Sequence, residues 1–220
     1  MGRLGVAVIG LNGAVSSTMV AGVRLMLKGA VERYGMLTEA VEGHSQNVLS
    51  DLLAFCPLED LVFGGWDLND RTLYDSALEH GVLRADQLVP VKEELQHLRP
   101  WRAVFHADYA ANLKGAHVLC APSFREEISA IRQDLQNFKT HHQLDRVVMV
   151  NLASTEKWSA PSPTHANLSA FEAGLDCDDP SITPTMRYVY AANSLGTAHL
   201  NFTPSLAHIP ALDEQAIKHA

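Results

Sequence analysis

Apolar residues along this chain fall into two patterns, short continuous runs and longer stripes at helical spacing. Gly5 to Ile9 reads G-V-A-V-I, a β-branched apolar run that predicts a strand buried on both faces of a parallel sheet. A turn over Gly10 to Thr18 follows, and Met19 to Lys28 has the apolar and small residues of a packed helix. Leu58 to Phe63 predicts a second strand, ended by a glycine corner, Gly64-Gly65-Trp66-Asp67, with Asp70 to Gly81 as a capped helix behind it. Ala116 to Cys120 is a further candidate strand. Arg125 to His141 predicts a long amphipathic helix with Ile128, Ile131, Leu135 and Phe138 on one stripe, and it feeds directly into Asp145 to Leu152, the clearest strand of the chain. Between Ala153 and Thr183 the composition shifts to Ser, Pro, Asp and Thr around an amphipathic insert at Leu168 to Gly174, which predicts a linker or a flap over a site. Thr185 to Leu195 resumes helical character and Ala198 to Phe202 reads as a last strand. Buried strands alternating with helices predict an α/β fold.

Composition narrows the function. With 220 residues, 47% of them hydrophobic, the chain buries a substantial core, enough for one domain or one and a half. No apolar run approaches the ~20 residues that span a bilayer, and the N-terminus lacks the layout of a secretory signal. Acidic residues outnumber basic ones 25 to 17, for a net charge of −8, and the positive side chains are scattered. That balance argues against nucleic acid and anionic membranes as partners and for small-molecule chemistry. Cys56, Cys120 and Cys177 lie far apart, which argues against a zinc site and a disulfide framework and fits a reducing cytoplasm. Among 11 histidines, His141 and His142 are adjacent, point to different sides of their helix and have no further ligand at metal spacing, so they are read as solvated and no metal is expected.

Ligands of a parallel sheet gather at the carboxyl ends of its strands. The glycine turn at Gly10 would let backbone approach a pyrophosphate at a helix N-terminus, although a plain strand-to-helix turn explains it as well, since Asn12 and Val15 stand where a dinucleotide fingerprint has its second and third glycines. Asp67 would accept hydrogen bonds from ribose hydroxyls or serve as a turn and helix-cap aspartate. Asn151-Leu152-Ala153-Ser154-Thr155-Glu156 follows a buried strand and is either a polar site or a set of capping hydroxyls.

The order of these segments is more specific than any one of them. Gly10, Leu11, Gly13, Ser17 and Thr18 match the G-L-G-G-N-N-G-S-T turn of myo-inositol-1-phosphate synthases, and Gly64-Gly65-Trp66-Asp67 matches that family's G-G-W-D. Ala153-Ser154-Thr155-Glu156 resembles its A-N-T-E, Ile182-Thr183-Pro184-Thr185 its I-S-P-S, and His199 to Ser205 its Y-I-N-G-S-P-Q. The resemblance spans Gly10 to Ser205. Departures stand at Ala14 and Val15 in place of two asparagines, at Ser16 in place of a glycine, and at Phe202, Ser205 and Leu206.

The resemblance implies a Rossmann-like doubly wound parallel sheet over residues 1–220 that binds NAD and lacks most of the family's second domain. It implies that Gly10, Leu11, Asn12, Gly13, Ser17 and Thr18 surround the pyrophosphate, that Asp67 holds the adenosine ribose, and that Ala153, Ser154 and Thr155 line the nicotinamide side. Thr185 and Asn201 are its candidate substrate contacts, with a helix-start hydroxyl and a strand-end turn residue as the plainer alternatives. The implied activity is redox-neutral cyclisation of glucose 6-phosphate to 1D-myo-inositol 3-phosphate, in a cytoplasmic homotetramer. In the family, lysines stabilise the developing negative charge. They sit in a G-K-D-type segment that would follow the helix at Pro210 to Ala220, so no catalytic residue is expected here and the isolated chain is expected to be a truncated, inactive portion. An oxidoreductase on another sugar phosphate and a non-catalytic NAD-binding module are the competing readings.

Overall fold

The computed structural model describes residues 2–34, 36, 38, 49 and 53–219. Met1 and Ala220, the ends of the expected domain, lie outside them. Five strands, β1 (Leu4–Ile9), β2 (Leu61–Asp67), β3 (Trp101–Arg102), β4 (Arg146–Asn151) and β5 (Ala198–Asn201), form one all-parallel sheet in the order β3-β2-β1-β4-β5. Helices α1 (Ala14–Leu27), α2 (Leu73–His80), α3 (Ala85–Leu88) and α4 (Lys92–His97) share one apolar core, and α5 (Phe124–His141), α6 (Leu168–Asp176), α7 (Pro184–Asn193) and α8 (Pro210–His219) share another. Strand periodicity divides the two: Val8 of β1 packs into the α1 side with Val20, Leu25 and Leu73, while Ala7 and Ile9 pack into the α5 side with Ile131, Leu135 and Met149. A strand flanked on both faces has no polar side to show, which is why β1 reads as a continuous apolar run.

Three expectations are corrected. Gly64-Gly65-Trp66-Asp67 is the carboxyl half of β2 and not a corner after it, and Leu58–Asp60 is a 3-10 turn leading in. The glycines are there for packing: a Cβ on Gly65, whose φ is 150°, would come within 2.0 Å of the Val8 carbonyl oxygen on β1. A side chain on Gly64 would meet the Trp101 and Phe138 rings. Second, α1 starts at Ala14, five residues before Met19, because Ser17 turns its hydroxyl back onto the Gly13 carbonyl (2.8 Å) and the S-S-T run fits a first turn. Third, Ala116 to Cys120 contributes one isolated bridge, Ala103 to Val118. The edge beside β2 is taken by Trp101–Arg102, a two-residue strand behind Pro100 too short to show alternation.

The segment 153–183, expected as linker or flap, contains α6, capped by the Asn167 side chain accepting from the Ala170 amide (2.9 Å), and buries Phe171 and Leu175 in the α5-side core. The edges of the predicted α2, α5, β4, α7 and β5 shift by one to three residues.

Candidate functional site

The crossover from β1 runs over the face that holds α1, and the chain enters β4 from α5 on the other face. The carboxyl ends of β1 and β4 therefore splay apart at a topological switch point, and the loops leaving them bound a crevice. A cavity of about 290 Å³ lies there.

Its first wall is the turn after β1. The amides of Gly10 and Leu11 both donate to the Trp66 carbonyl (2.9 and 3.0 Å), and the Asn12 amide donates to Asp67 Oδ2 (2.8 Å). Asn12 Nδ2 donates to Asn69 Oδ1 (2.9 Å) and the Arg71 carbonyl (3.0 Å), while His80 Nε2 meets the Asn12 carbonyl (2.8 Å). The turn is thus stapled to the loop after β2. Gly10 has φ 86°, and a Cβ there would sit 3.1 Å from the Ala153 Cα across the crevice. Gly13 is the N-cap of α1, with no side chain to cap the helix and no acidic residue in the first turn. The first-turn amides and the positive end of the helix dipole are left for a ligand.

Asp67, the last residue of β2, accepts the Asn12 amide on one oxygen and the Asn69 amide (3.2 Å) on the other. Burial pushes its carboxyl above the usual range, against the lowering effect of those amides.

The opposite wall follows β4. Asn151, almost fully buried, accepts the Ala153 amide (3.1 Å) and donates to Asn201 Oδ1 (3.1 Å) and Thr203 Oγ1 (3.2 Å), which ties the loop to the end of β5. Glu156 Oε1 accepts the Thr185 amide (2.8 Å) at the start of α7, and its Oε2 is buried with no partner among the described residues. The third wall is the stretch from Ala103 to Ala110 with Leu113 and Lys114, held by the Val104 amide donating to the Tyr188 hydroxyl (2.9 Å). Full burial raises that hydroxyl's pKa far beyond its ordinary value.

Of the residues singled out in the sequence, Gly10, Asn12, Gly13, Asp67, Ala153, Ser154 and Thr185 line this one cavity. Leu11 is buried in the α1-side core, Ser17 braces the turn, and Thr18, the exposed Thr155 and Asn201 stand outside the lining. The sequence reading leaves Glu156 inside an ambiguous polar segment and does not single out His80, His106, Tyr109 or Lys114, yet all five line the cavity. Glu156 was within reach, since it closes the A-S-T-E motif. His80 reads only as part of a capped helix, and His106, Tyr109 and Lys114 sit in a stretch without periodicity or motif.

A nucleotide fits what the residues provide. The glycine cradle is one that a Cβ would fill, and Asn12 Oδ1 and Glu156 Oε2 are buried acceptors without partners among the described residues, on the first wall and the opposite one. Such orphaned acceptors are expected where a ligand supplies the donors.

Comparison with known proteins agrees. The chain is 36% identical over 196 residues to inositol-3-phosphate synthase 1 of Bacteroides thetaiotaomicron, covering 87% of this chain and 46% of that protein. It is 28% identical to inositol-3-phosphate synthase of Dictyostelium discoideum, covering 99% of this chain and 47% of that one. The chain thus spans about half the length of the curated relatives it matches. A crystal structure of inositol-3-phosphate synthase from Caenorhabditis elegans superimposes with a TM-score of 0.87 at 20% identity, over 99% of this chain and 47% of that chain, a likeness of fold. The NAD-binding family model described as myo-inositol-1-phosphate synthase matches residues 4–220, which makes NAD the cofactor. The chain belongs to the myo-inositol-1-phosphate synthase family.

Proposed function

We propose that residues 1–220 form one NAD-binding unit that serves the redox-neutral cyclisation of glucose 6-phosphate to 1D-myo-inositol 3-phosphate. The observation that carries this reading is the meeting of the uncapped α1 N-terminus, Asp67 and the Glu156–Thr185 pair around one cavity at the switch point. NAD, when bound, supplies a reversible hydride acceptor, so oxidation and reduction of the same substrate cancel. The chain's own part is to hold and orient. The backbone from Gly10 to Gly13 and the first turn of α1, with Thr18 beyond it, surround the pyrophosphate, and Leu11 and Ser17 keep that turn in shape. Asp67 accepts from the adenosine ribose. Ala153, Ser154 and Thr155 flank the nicotinamide, and Thr185 and Asn201 face the substrate side, Asn201 through its bond to Asn151. A cytoplasmic homo-oligomer is the assembly in which we expect the site to work.

Isothermal titration of NAD into the chain tests this. Binding that weakens by about tenfold or more in Asp67→Asn, the loss of a charge-assisted hydrogen bond, supports it. Absence of any NAD binding by the unmodified chain overturns it.

A further inference from the structure

One wall of the cavity holds a charged cluster that the dinucleotide reading leaves unused. His106 lines the cavity with its side chain 39% exposed, whereas Glu127 behind it is 5% and Arg187 0% exposed. Arg187 pairs with Glu127 through Nη1 and Oε2, donates from Nε to the Thr183 carbonyl (3.3 Å), and stacks 3.9 Å from the centre of the Phe124 ring. His106 Nε2 lies 3.0 Å from Glu127 Oε1 and 3.0 Å from Arg187 Nη1.

These contacts favour one tautomer of the neutral imidazole. An arginine only donates and an ionised carboxylate only accepts. A lone pair on Nε2 would set two acceptors against each other across the bond to Oε1, whereas a proton on Nε2 gives Oε1 its donor while Arg187 Nη1 keeps Oε2; the 3.0 Å approach of Nη1 to Nε2 is then a contact between two donors that share one carboxylate, and not a hydrogen bond. Nδ1 then carries the lone pair, and it takes no part in the hydrogen bonds that His106 makes within the protein. Edge contacts with Phe124 (5.9 Å between centroids) and Tyr109 (6.3 Å) hold the ring in place. The same cavity contains the unpartnered Glu156 Oε2. Two spare acceptors on this part of the wall suit the O–H donors of a ligand.

We propose that His106 is a ligand-binding residue whose Nδ1 accepts a hydrogen bond from a sugar hydroxyl, with Glu127 and Arg187 as positioning residues that hold its tautomer and orientation. The assignment rests on the dinucleotide reading above. A ribose of NAD and the substrate sugar offer the same donor, and the test separates them.

His106→Gln keeps an N–H near Nε2 for Glu127 and removes the Nδ1 acceptor. His106→Asn does the opposite, keeping a polar atom near Nδ1 and losing reach to Glu127. NAD is titrated into each chain, then glucose 6-phosphate into the NAD-saturated chain, with thermal unfolding followed in parallel. His106→Gln should unfold at the unmodified chain's temperature and bind one of the two ligands about tenfold more weakly, the value of one hydrogen bond. The arm that weakens identifies the owner of the hydroxyl. His106→Asn should unfold earlier and bind more tightly than His106→Gln. Unchanged affinity in His106→Gln for both ligands, or equal weakening in both variants, overturns the assignment while NAD binding stands. Failure of the unmodified chain to bind NAD removes the dinucleotide reading and this one with it.

Discussion

Asp67 carries two obligations on one carboxylate. Its oxygens already accept the amides of Asn12 and Asn69, which shape the turn, and each keeps a lone pair that the proposed ribose contact would use. Burial makes the charge costly and raises its pKa. The sign for binding follows: hydroxyls donate more strongly to the ionised form, so NAD affinity is complete above the raised pKa and is lost as pH falls through it. That loss begins at higher pH than for an ordinary aspartate near about 3.9. We expect the dissociation constant to rise by up to about tenfold per pH unit below that point, and Asp67→Asn to show no such slope. A flat profile in the unmodified chain would count against Asp67 as the ribose ligand. The aspartate itself was legible because it ends a recognisable tetrapeptide. Its bond to Asn12, 55 positions away, was not, since no local pattern encodes it.

At the scale of elements, β2 shows how one motif serves packing and chemistry together. Trp66 is fully buried, donates from Nε1 to Asp134 Oδ2 (2.8 Å) on α5, and packs edge-on to Trp101 and Tyr188. Gly65 lets β1 approach, and only then does Asp67 reach the turn after β1. Gly65→Ala sets a methyl against backbone that cannot rotate away, and should cost about 3 kcal/mol or more in denaturant unfolding. Gly22 in α1 is the control: nothing lies within 4 Å of its missing Cβ, so Gly22→Ala should stabilise by about 0.5–1 kcal/mol through helix propensity. Equal effects at the two glycines would refute the packing account. Elements with a full pattern, such as α5 with its Ser123 cap and apolar stripe, were readable within a residue or two. β3 was not, because two residues at a sheet edge carry no period and owe their conformation to pairing with Trp66 and Asp67.

Across the whole molecule, the pH dependence of stability carries the mark of a half-buried histidine. His199 on β5 is held neutral, its pKa pushed down to about 4 first by burial and then by His208 nearby. In the unfolded chain it titrates near about 6.5. Between those values the unfolded state binds a proton that the native state refuses, so this contribution is complete above about pH 6.5 and is lost as pH falls toward 4. Denaturant unfolding at about pH 7.5 and about pH 5 should show a smaller loss for His199→Gln than for the unmodified chain, and an equal loss would exclude this origin. Asp67 and Asp134, both raised by burial, act in the opposite sense in either protein and cancel in the comparison. The α/β class, the strands β1 and β4, the long helix α5 and the strand-end motifs are written in the sequence itself, because each element or motif rests on residues within a few turns or one strand of each other, and their order is read along the chain. The tertiary structure alone decided which of those motif residues share a cavity, that the loop after β3 forms its third wall, and that His106, Glu127 and Arg187 meet there. Those contacts join residues 21 to 81 positions apart, and such distances leave no periodic trace in a chain.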